Sequence, residues 1–255
     1  MARVPIAAGN WKMNTTRESA GQLAADVAKH AAKAPGVEVI VCPPFLYLFD
    51  VRDATAGSTV RVGAQNCFWE EKGAFTGEVS VTQVAEAADY VIIGHSERRQ
   101  YFGETDETVN RRVRAALAHG LKPIVCVGET LSERNGGETE AVLLRQVREG
   151  LAEVTIPRYL VVAYEPVWAI GTGLAADGAM AQAAIGLIRD TLRERCGDVA
   201  DDVRILYGGS VTPENAAEFM TQPDIDGGLV GGASLKADSF AAIIDAMAAA
   251  VSAGA

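Results

Sequence analysis

Chemically reactive side chains directly follow three of the short apolar runs in this 255-residue sequence. The sixth apolar run is followed by Glu165, the fourth by His95, and the first by Asn10 and Lys12. A carboxylate can accept a proton, an imidazole can donate one, and an ammonium group can bind an anion. Together these residue types predict proton transfer on an anionic substrate, provided that the fold brings them to one place.

Glycine pairs follow the seventh and eighth apolar runs, in the segments YGGSV (207–211) and LVGGASL (229–235). Glycine lets the backbone approach a ligand closely, and the N–H groups at the start of a helix favour anions. A single Gly-Gly pair is usually only a turn. Two such pairs after consecutive runs indicate a backbone-lined anion site, which an acidic protein needs if its substrate is an anion.

The elements that would position these residues are eight short apolar runs that alternate with longer amphipathic stretches. The runs lie near 4–9, 37–42, 60–64, 90–94, 122–127, 159–164, 203–207 and 227–230. Helical periodicity is clearest over 17–33, 105–119, 138–152 and 178–196, and weaker helices are expected near 45–55, 80–88, 213–220 and 237–252. Strand followed by helix, eight times, predicts parallel strands with crossover helices. We therefore expect an α/β fold with one closed (β/α)8 barrel domain over residues 1–255.

An open, doubly wound sheet is the alternative architecture, because periodicity alone cannot prove that a sheet closes. No GxGxxG follows the first run, which weakens a dinucleotide-binding fold. In either architecture, ligands bind at the carboxyl ends of the strands. The residues expected at that edge are Asn10, Lys12, Cys42, Gln65, Asn66, His95, Ser96, Glu97, Glu129, Glu165, Gly208, Gly209, Ser210, Gly231 and Gly232.

Composition narrows the classes of partner and cofactor. A formal net charge of −10 disfavours nucleic acid and anionic membranes as partners. No run is long enough to span a bilayer, and the first residues do not resemble an export signal. The four cysteines are widely spaced and form no Cys/His ligand cluster, so neither zinc nor a disulfide is expected. Free thiols favour a cytoplasmic protein.

Five segments resemble the signature segments of the triosephosphate isomerase family, in that family's order and at its spacing. They are GNWKMN (9–14), GHSERR (94–99), AYEPVWAIGTG (163–173), YGGSV (207–211) and LVGGASL (229–235), supported by GAQNCF (63–68) and GAFTGE (73–78). The resemblance implies a TIM barrel that interconverts dihydroxyacetone phosphate and D-glyceraldehyde 3-phosphate through an enediol(ate). It also implies a place in glycolysis and gluconeogenesis, without a metal or organic cofactor.

The resemblance implies a catalytic role for five side chains, those of Glu165, His95, Lys12, Asn10 and Glu97. Glu165 would be the base, and a neutral His95 would donate a hydrogen bond to the substrate oxygen. We expect a short helix after the fourth strand, with Ser96 as its N-cap, to disfavour the protonated imidazole. Lys12 would bind the anionic substrate, and Asn10 would hydrogen-bond the substrate and help to fix Lys12.

The remaining implied contacts support the lysine and hold the phosphate. Glu97 resembles an acid of the family that lies near the lysine and supports catalysis. The backbone N–H groups of Ser210 and of Gly231 or Gly232 are expected to bind the phosphate, together with Gly171.

Residues 166–176 resemble the mobile lid of the family. The first hinge contains Trp168, whose indole N–H would donate to Glu129. The second hinge, Leu174-Ala175-Ala176, departs from the family's usual Lys or Arg, then Thr or Val, then Ala. The catalytic side chains are unaffected by this change, so activity should survive while the kinetics of the lid could differ.

The segment 66–80 is longer than most connections in a compact domain. It carries three aromatic residues, Phe68, Trp69 and Phe75. In the resembling family this loop reaches into a second subunit, where the aromatic side chains would be buried. We therefore expect a homodimer through residues 66–80.

Two other functions stay open at the level of sequence, because barrels host many chemistries. One is a different phosphosugar isomerase or lyase, which the combination of Lys12, His95 and Glu165 disfavours. The other is a non-catalytic protein that binds a phosphorylated ligand. A binding protein has no need of a base, so Glu165 argues against it.

Overall fold

Eight parallel strands form a closed barrel in a computed structural model that describes residues 3–170 and 176–254. Each strand pairs with the next along the chain, and the eighth pairs with the first. The closed barrel confirms the (β/α)8 prediction over the open sheet. The strands are β1 (Ile6–Asn10), β2 (Glu38–Cys42), β3 (Arg61–Ala64), β4 (Tyr90–Ile93), β5 (Lys122–Val127), β6 (Val161–Tyr164), β7 (Arg204–Tyr207) and β8 (Gly227–Val230).

Helices connect the strands, at positions close to those that periodicity predicts. They are α1 (Arg17–Ala31), α2 (Leu48–Ala54), α3 (Val81–Ala85), α4 (Ser96–Phe102), α5 (Asp106–Ala118), α6 (Leu131–Asn135), α7 (Thr139–Gly150), α8 (Gly178–Cys196), α9 (Ala216–Met220) and α10 (Ala237–Gly254). Short 3₁₀ helices lie at Phe45–Tyr47, Val167–Ala169, Gly197–Asp201 and Gly232–Leu235. The described part of the chain contains no helix that is long and apolar enough to cross a membrane.

The helix expected from residue 213 begins later, at Ala216. The N–H of Thr212 donates to the Asn215 side chain at 2.8 Å, and Asn215 in turn donates to the carbonyl of Ser210 at 2.9 Å. Residues 213–215 form a turn that leads into α9, and the N–H of Ala216 donates to the carbonyl of Thr212 at 3.0 Å. The predicted and observed starts of the helix therefore differ by about one turn.

The sequences of the strands are nearly continuous apolar runs, because both faces of each strand are buried. Ile40, Ile92 and Leu206 belong to one apolar cluster, formed by strand residues alone, that fills the barrel. Val41 and Ile93, each one position further along its strand, belong to a second cluster that includes the helices. Successive side chains of a strand point to opposite faces, which separates the two clusters. This packing makes the strand ends a rigid platform for the loops that follow them.

Candidate active site

A cavity of about 260 Å³ opens at the carboxyl ends of the strands. The predicted site residues that line it are Asn10, Lys12, His95, Glu165, Ser210, Gly231 and Gly232. Glu97 does not line the cavity itself, but its carboxylate accepts a hydrogen bond from Lys12, which does. Gly171 lies outside the described residues. The fold thus gathers residues from five strand ends around one small, polar cavity.

Glu165 and His95 form a buried pair in the wall of this cavity. Glu165 directly follows β6 and is 2% exposed. Its Oε1 lies 2.9 Å from His95 Nε2, and its Oε2 accepts the N–H of Ser96 at 2.8 Å. Burial alone raises the pKa of the Glu165 carboxyl, but the imidazole and the Ser96 N–H together hold this pKa below its ordinary value. Glu165 is therefore ionised at neutral pH and able to accept a proton.

Two glycines make room for Glu165. A Cβ at Gly128 would overlap the carbonyl oxygen of Glu165, and a Cβ at Gly208 would lie 2.8 Å from its Cγ. Only glycine, which lacks a Cβ, fits where two segments of the backbone approach each other this closely. Gly128 is absent from the site predicted by sequence, although a glycine directly after an apolar run is the signal that marks it.

We expect Gly128→Ala to reduce kcat about 100-fold, because a displacement of roughly 1 Å at a reacting group has an effect of this size. The added methyl group pushes the β6 end away and moves the Glu165 carboxylate with it. Steady-state kinetics of the purified variant measure the change. Gly21→Ala is the control, since a Cβ at Gly21, in α1, meets nothing within 4 Å. Equal kcat values for Gly128→Ala and wild type would contradict the prediction.

His95, rather than Ser96, caps the short helix α4. The prediction of Ser96 as the N-cap is wrong because Ser96 is already the first helical residue, with its N–H bound to Glu165. The His95 ring takes the capping position, where Nδ1 accepts the N–H of Glu97 at 3.2 Å. With its lone pair used on Nδ1, a neutral imidazole carries its proton on Nε2, facing Glu165.

The charge state of His95 depends on the carboxylates around it. Burial lowers the pKa of His95, but Glu165 and Glu97 raise it, and the net direction with Glu165 in contact is upward. The N–H of Glu97 at Nδ1 and the start of α4 act in the opposite direction, toward the neutral ring. Contact with Glu165 is therefore what favours protonation of the imidazole.

We expect His95→Ala to raise the pKa of Glu165, because the variant keeps the burial of the carboxyl group and removes the imidazole that opposes it. The acid form of Glu165 would then persist to higher pH than in wild type. A ¹³C NMR titration of the labelled carboxyl, identified by its absence in Glu165→Gln, measures the shift. His119→Ala is the control, since His119 pairs with the exposed Glu71. A Glu165 titration that does not move in His95→Ala would contradict the role given to the imidazole.

Lys12 is held in a backbone conformation that side chains rarely adopt, with φ of 52°. Its N–H donates to Asn10 Oδ1 at 3.0 Å, and its carbonyl accepts from Gln65 Nε2 at 2.8 Å. The ammonium group donates to Glu97 Oε1 at 2.6 Å. Three polar side chains therefore fix one lysine at the edge of the cavity. Gln65 received no role from the sequence, although a polar residue directly after a strand is a signal for one.

The glycine segments close the side of the cavity formed by β7 and β8. Gly231 lies against the lysine, since a Cβ placed there would be 3.6 Å from Lys12 Cε. Gly232 begins a 3₁₀ helix, and Ser234 donates to the carbonyl of Gly231 through both its N–H and its hydroxyl group. Backbone approaches an anion most readily where side chains are absent. The cationic and the backbone-lined parts of the cavity are thus adjacent.

Trp168 donates its indole N–H to Glu129 Oε1 at 2.8 Å, which confirms the partner predicted for it. Glu129 is fully buried and also accepts from the Tyr164 hydroxyl, 3.1 Å from each carboxylate oxygen. These bonds anchor the first predicted hinge. Of the second hinge, Leu174 and Ala175 lie outside the described residues.

Cys126 packs inside the barrel, and burial raises the pKa of its thiol well above the ordinary value. A thiol in this state is a poor nucleophile. Across residues 3–170 and 176–254, the His, Cys, Asp and Glu side chains form no group that could hold a metal ion.

Comparison with known proteins gives one consistent result. A family model described as triosephosphate isomerase matches residues 5–247. The triosephosphate isomerase of Moorella thermoacetica is 58% identical, over 95% of this chain and 98% of the relative. That of Acetivibrio thermocellus is 54% identical, over 94% and 97% of the two chains. A crystal structure of triosephosphate isomerase from Bartonella henselae is 39% identical, with a TM-score of 0.88 over 95% of this chain and 98% of that one.

Proposed function

The chain belongs to the triosephosphate isomerase family, and from this premise we propose how its residues interconvert dihydroxyacetone phosphate and D-glyceraldehyde 3-phosphate. The enzyme is an isomerase of glycolysis and gluconeogenesis that moves a proton between two neighbouring carbons. The observation that carries the assignment of residues is the cavity where Glu165, His95 and Lys12 meet.

Glu165 removes a proton from C1 of dihydroxyacetone phosphate. The electron pair of the broken C–H bond forms the C1–C2 double bond, and the carbonyl π electrons move onto O2. His95 transfers its Nε2 proton to O2, so that the charge does not build up unpaired, and becomes an imidazolate. The imidazolate takes the proton from O1, the O1–H electrons form the C1 carbonyl, and the electrons of the C1–C2 double bond take the proton back from Glu165 at C2. The two side chains end the cycle in the states in which they began.

Lys12 binds the anionic substrate in a protein whose net charge is −10. Asn10 hydrogen-bonds the substrate and holds the lysine backbone, and Glu97 keeps the ammonium group at the cavity until substrate arrives. The phosphate is bound by backbone N–H groups, which act as an anion site at a helix start. These N–H groups are those of Ser210, Gly171, Gly231 and Gly232.

Coupled assays of triose phosphate interconversion test the function, with NADH oxidation reporting the formation of dihydroxyacetone phosphate and NAD⁺ reduction reporting the formation of D-glyceraldehyde 3-phosphate. The wild-type protein should turn over dihydroxyacetone phosphate and D-glyceraldehyde 3-phosphate in both directions. Unphosphorylated dihydroxyacetone is the matched control, and it should react far more slowly because it lacks the group that Lys12 and the backbone bind. Absence of turnover would contradict the proposal and would favour another phosphosugar enzyme or a binding protein.

We propose that the protein acts as a homodimer through residues 66–80, although the reason differs from the one expected. Phe68 is already buried in its own chain, and Trp69 packs between Phe68 and the guanidinium of Arg112. Their burial therefore needs no partner. Phe75 is the one aromatic residue of this loop that remains well exposed.

Support for the dimer comes from apolar side chains on neighbouring loops. Met13 is 94% exposed and Phe102 is 67% exposed, and Leu46 and Tyr101 are also well exposed. They follow β1, β2 and β4, which lie side by side with β3, the strand before Phe75. An exposed apolar area of this kind marks a protein interface.

Sedimentation velocity tests the dimer. The wild type should sediment as a dimer at micromolar concentration, and Phe75→Asp should shift it toward the monomer. Tyr159→Asp is the control, because Tyr159 is a comparably exposed aromatic residue at the opposite end of the barrel, before β6. A fully active wild-type monomer would overturn the proposal.

We further propose that the enzyme works in the cytoplasm, with a small three-carbon phosphate as substrate and with neither nucleic acid nor membrane as a partner. The acidic net charge supports this. So do the free thiols of the four cysteines, three of which are buried. The proton transfer described above needs no cofactor.

A further inference from the structure

Arg134 contacts three side chains behind the catalytic glutamate. Its guanidinium carbon lies 4.4 Å from the centre of the Trp168 ring. Its Nη1 is 3.5 Å from Glu129 Oε1, and its Nη2 donates to Met180 Sδ at 3.1 Å. The side chain is 33% exposed. One arginine of α6 therefore joins the segment after β6 to the first turn of α8.

Glu129 depends on this arginine for its charge balance. Its carboxylate is fully buried, and its two shortest hydrogen bonds come from neutral donors, the Tyr164 hydroxyl and the Trp168 indole. Among the described residues, Arg134 is the one cation that forms an ion pair with it. Leaving a buried charge without its partner is strongly unfavourable. Arg134 thus keeps Glu129 available as the acceptor for the indole N–H.

Trp168 is close enough along the chain to influence Glu165. Only Pro166 and Val167 separate the two residues, and the proline ring restricts the backbone between them. The N–H of Val167 donates to the carbonyl of Glu129 at 3.1 Å. The indole, the intervening backbone and the catalytic carboxylate are therefore tied to the same short segment. Small displacements of a reacting group have large effects on rate.

We propose that Arg134 is a positioning residue for the isomerase reaction, holding the Trp168 indole between its guanidinium group and Glu129 so that Glu165 keeps its place. The proposal rests on the proposed function of Glu165. Arg134 does not line the cavity, and it acts on the Trp168 indole both by direct contact and through Glu129. Both the planar shape and the charge of the guanidinium contribute, the first by stacking on the indole and the second by balancing Glu129.

The first test is the kinetics of Arg134→Ala. We expect kcat to fall about tenfold with KM within about twofold of wild type, because a partly desolvated cation–π contact and an ion pair are lost together. Addition of guanidinium chloride at low millimolar concentration should restore part of the lost rate. Arg114→Ala, which removes an arginine from an exposed ion pair with Glu153, should behave as wild type.

The second test asks whether the effect passes through Trp168. In the Trp168→Phe background, Arg134→Ala should change kcat by less than about twofold, since coupled residues are not additive. The indole N–H resonance of Trp168, assigned by its absence in Trp168→Phe, should shift in Arg134→Ala. This NMR readout does not require turnover, so it separates failure of the inference from failure of the proposed function.

Arg134→Lys keeps a cation beside Glu129 if the alanine variant folds poorly. It should still lose about threefold in kcat, because ammonium does not stack as a planar group. The proposal is overturned if Arg134→Ala and Arg134→Lys both match wild type. It is also overturned if the full effect persists in Trp168→Phe, or if the indole resonance does not move.

Discussion

Glu165→Gln is expected to lower kcat by about 10²- to 10⁴-fold, the contribution of a positioned general base. Glutamine has nearly the same size and can still form a hydrogen bond, but its amide cannot accept the proton from carbon. KM should change little, because in the proposed mechanism Lys12 and the backbone N–H groups supply most of the substrate binding. The coupled assay in both directions measures the effect.

Glu149→Gln provides the control for this substitution. Glu149 is an exposed residue of α7, remote from the cavity, and its replacement should leave both constants unchanged. A Glu165→Gln enzyme that retains more than a tenth of wild-type kcat would remove Glu165 from the role of base. His95 would then be the remaining group in the cavity able to take the proton.

Lys12→Met is expected to weaken binding of the phosphorylated substrate by at least about 30-fold, corresponding to about 2 kcal/mol or more for a truncated charge contact. Methionine preserves most of the apolar stem, so packing against Gly231 changes little. The variant also leaves the Glu97 carboxylate without its cation, which adds repulsion toward an anion. The inhibition constant of inorganic phosphate, together with KM, measures the loss.

Lys29→Met is the matched control, since Lys29 is an exposed residue of α1 that pairs with Asp26. It should leave phosphate inhibition unchanged. Inhibition by phosphate that is equally strong in wild type and Lys12→Met would contradict the binding role of the lysine. Higher ionic strength should weaken phosphate inhibition in wild type more than in the variant.

The fold was predictable because every strand is buried on both faces. Runs such as Val161–Tyr164 are therefore apolar throughout, and the amphipathic stretches between them show their period clearly. What periodicity could not show is the exact start of each helix. The helix α9 begins at Ala216 rather than Pro213, and His95 replaces Ser96 as a cap through a side-chain bond that depends on the folded turn.

The candidate site was predictable where a chemically reactive side chain follows a strand closely, as with Glu165, His95 and Lys12. The roles that sequence missed come from contacts between distant segments. Gly128 matters because β6 ends against it, and Gln65 because it reaches the carbonyl of Lys12. Each residue directly follows a strand, but the local pattern does not show which distant segment it contacts.

Isomerisation in D₂O, followed by proton NMR, tests most directly the central claim that Glu165 carries a proton between two carbons. A proton held on a carboxylate can exchange with solvent, so wild type should place deuterium at C1 of dihydroxyacetone phosphate and at C2 of D-glyceraldehyde 3-phosphate. Glu165→Gln should lose this incorporation together with turnover. Products without deuterium after many turnovers, or exchange in Glu165→Gln as fast as in wild type, would contradict the mechanism.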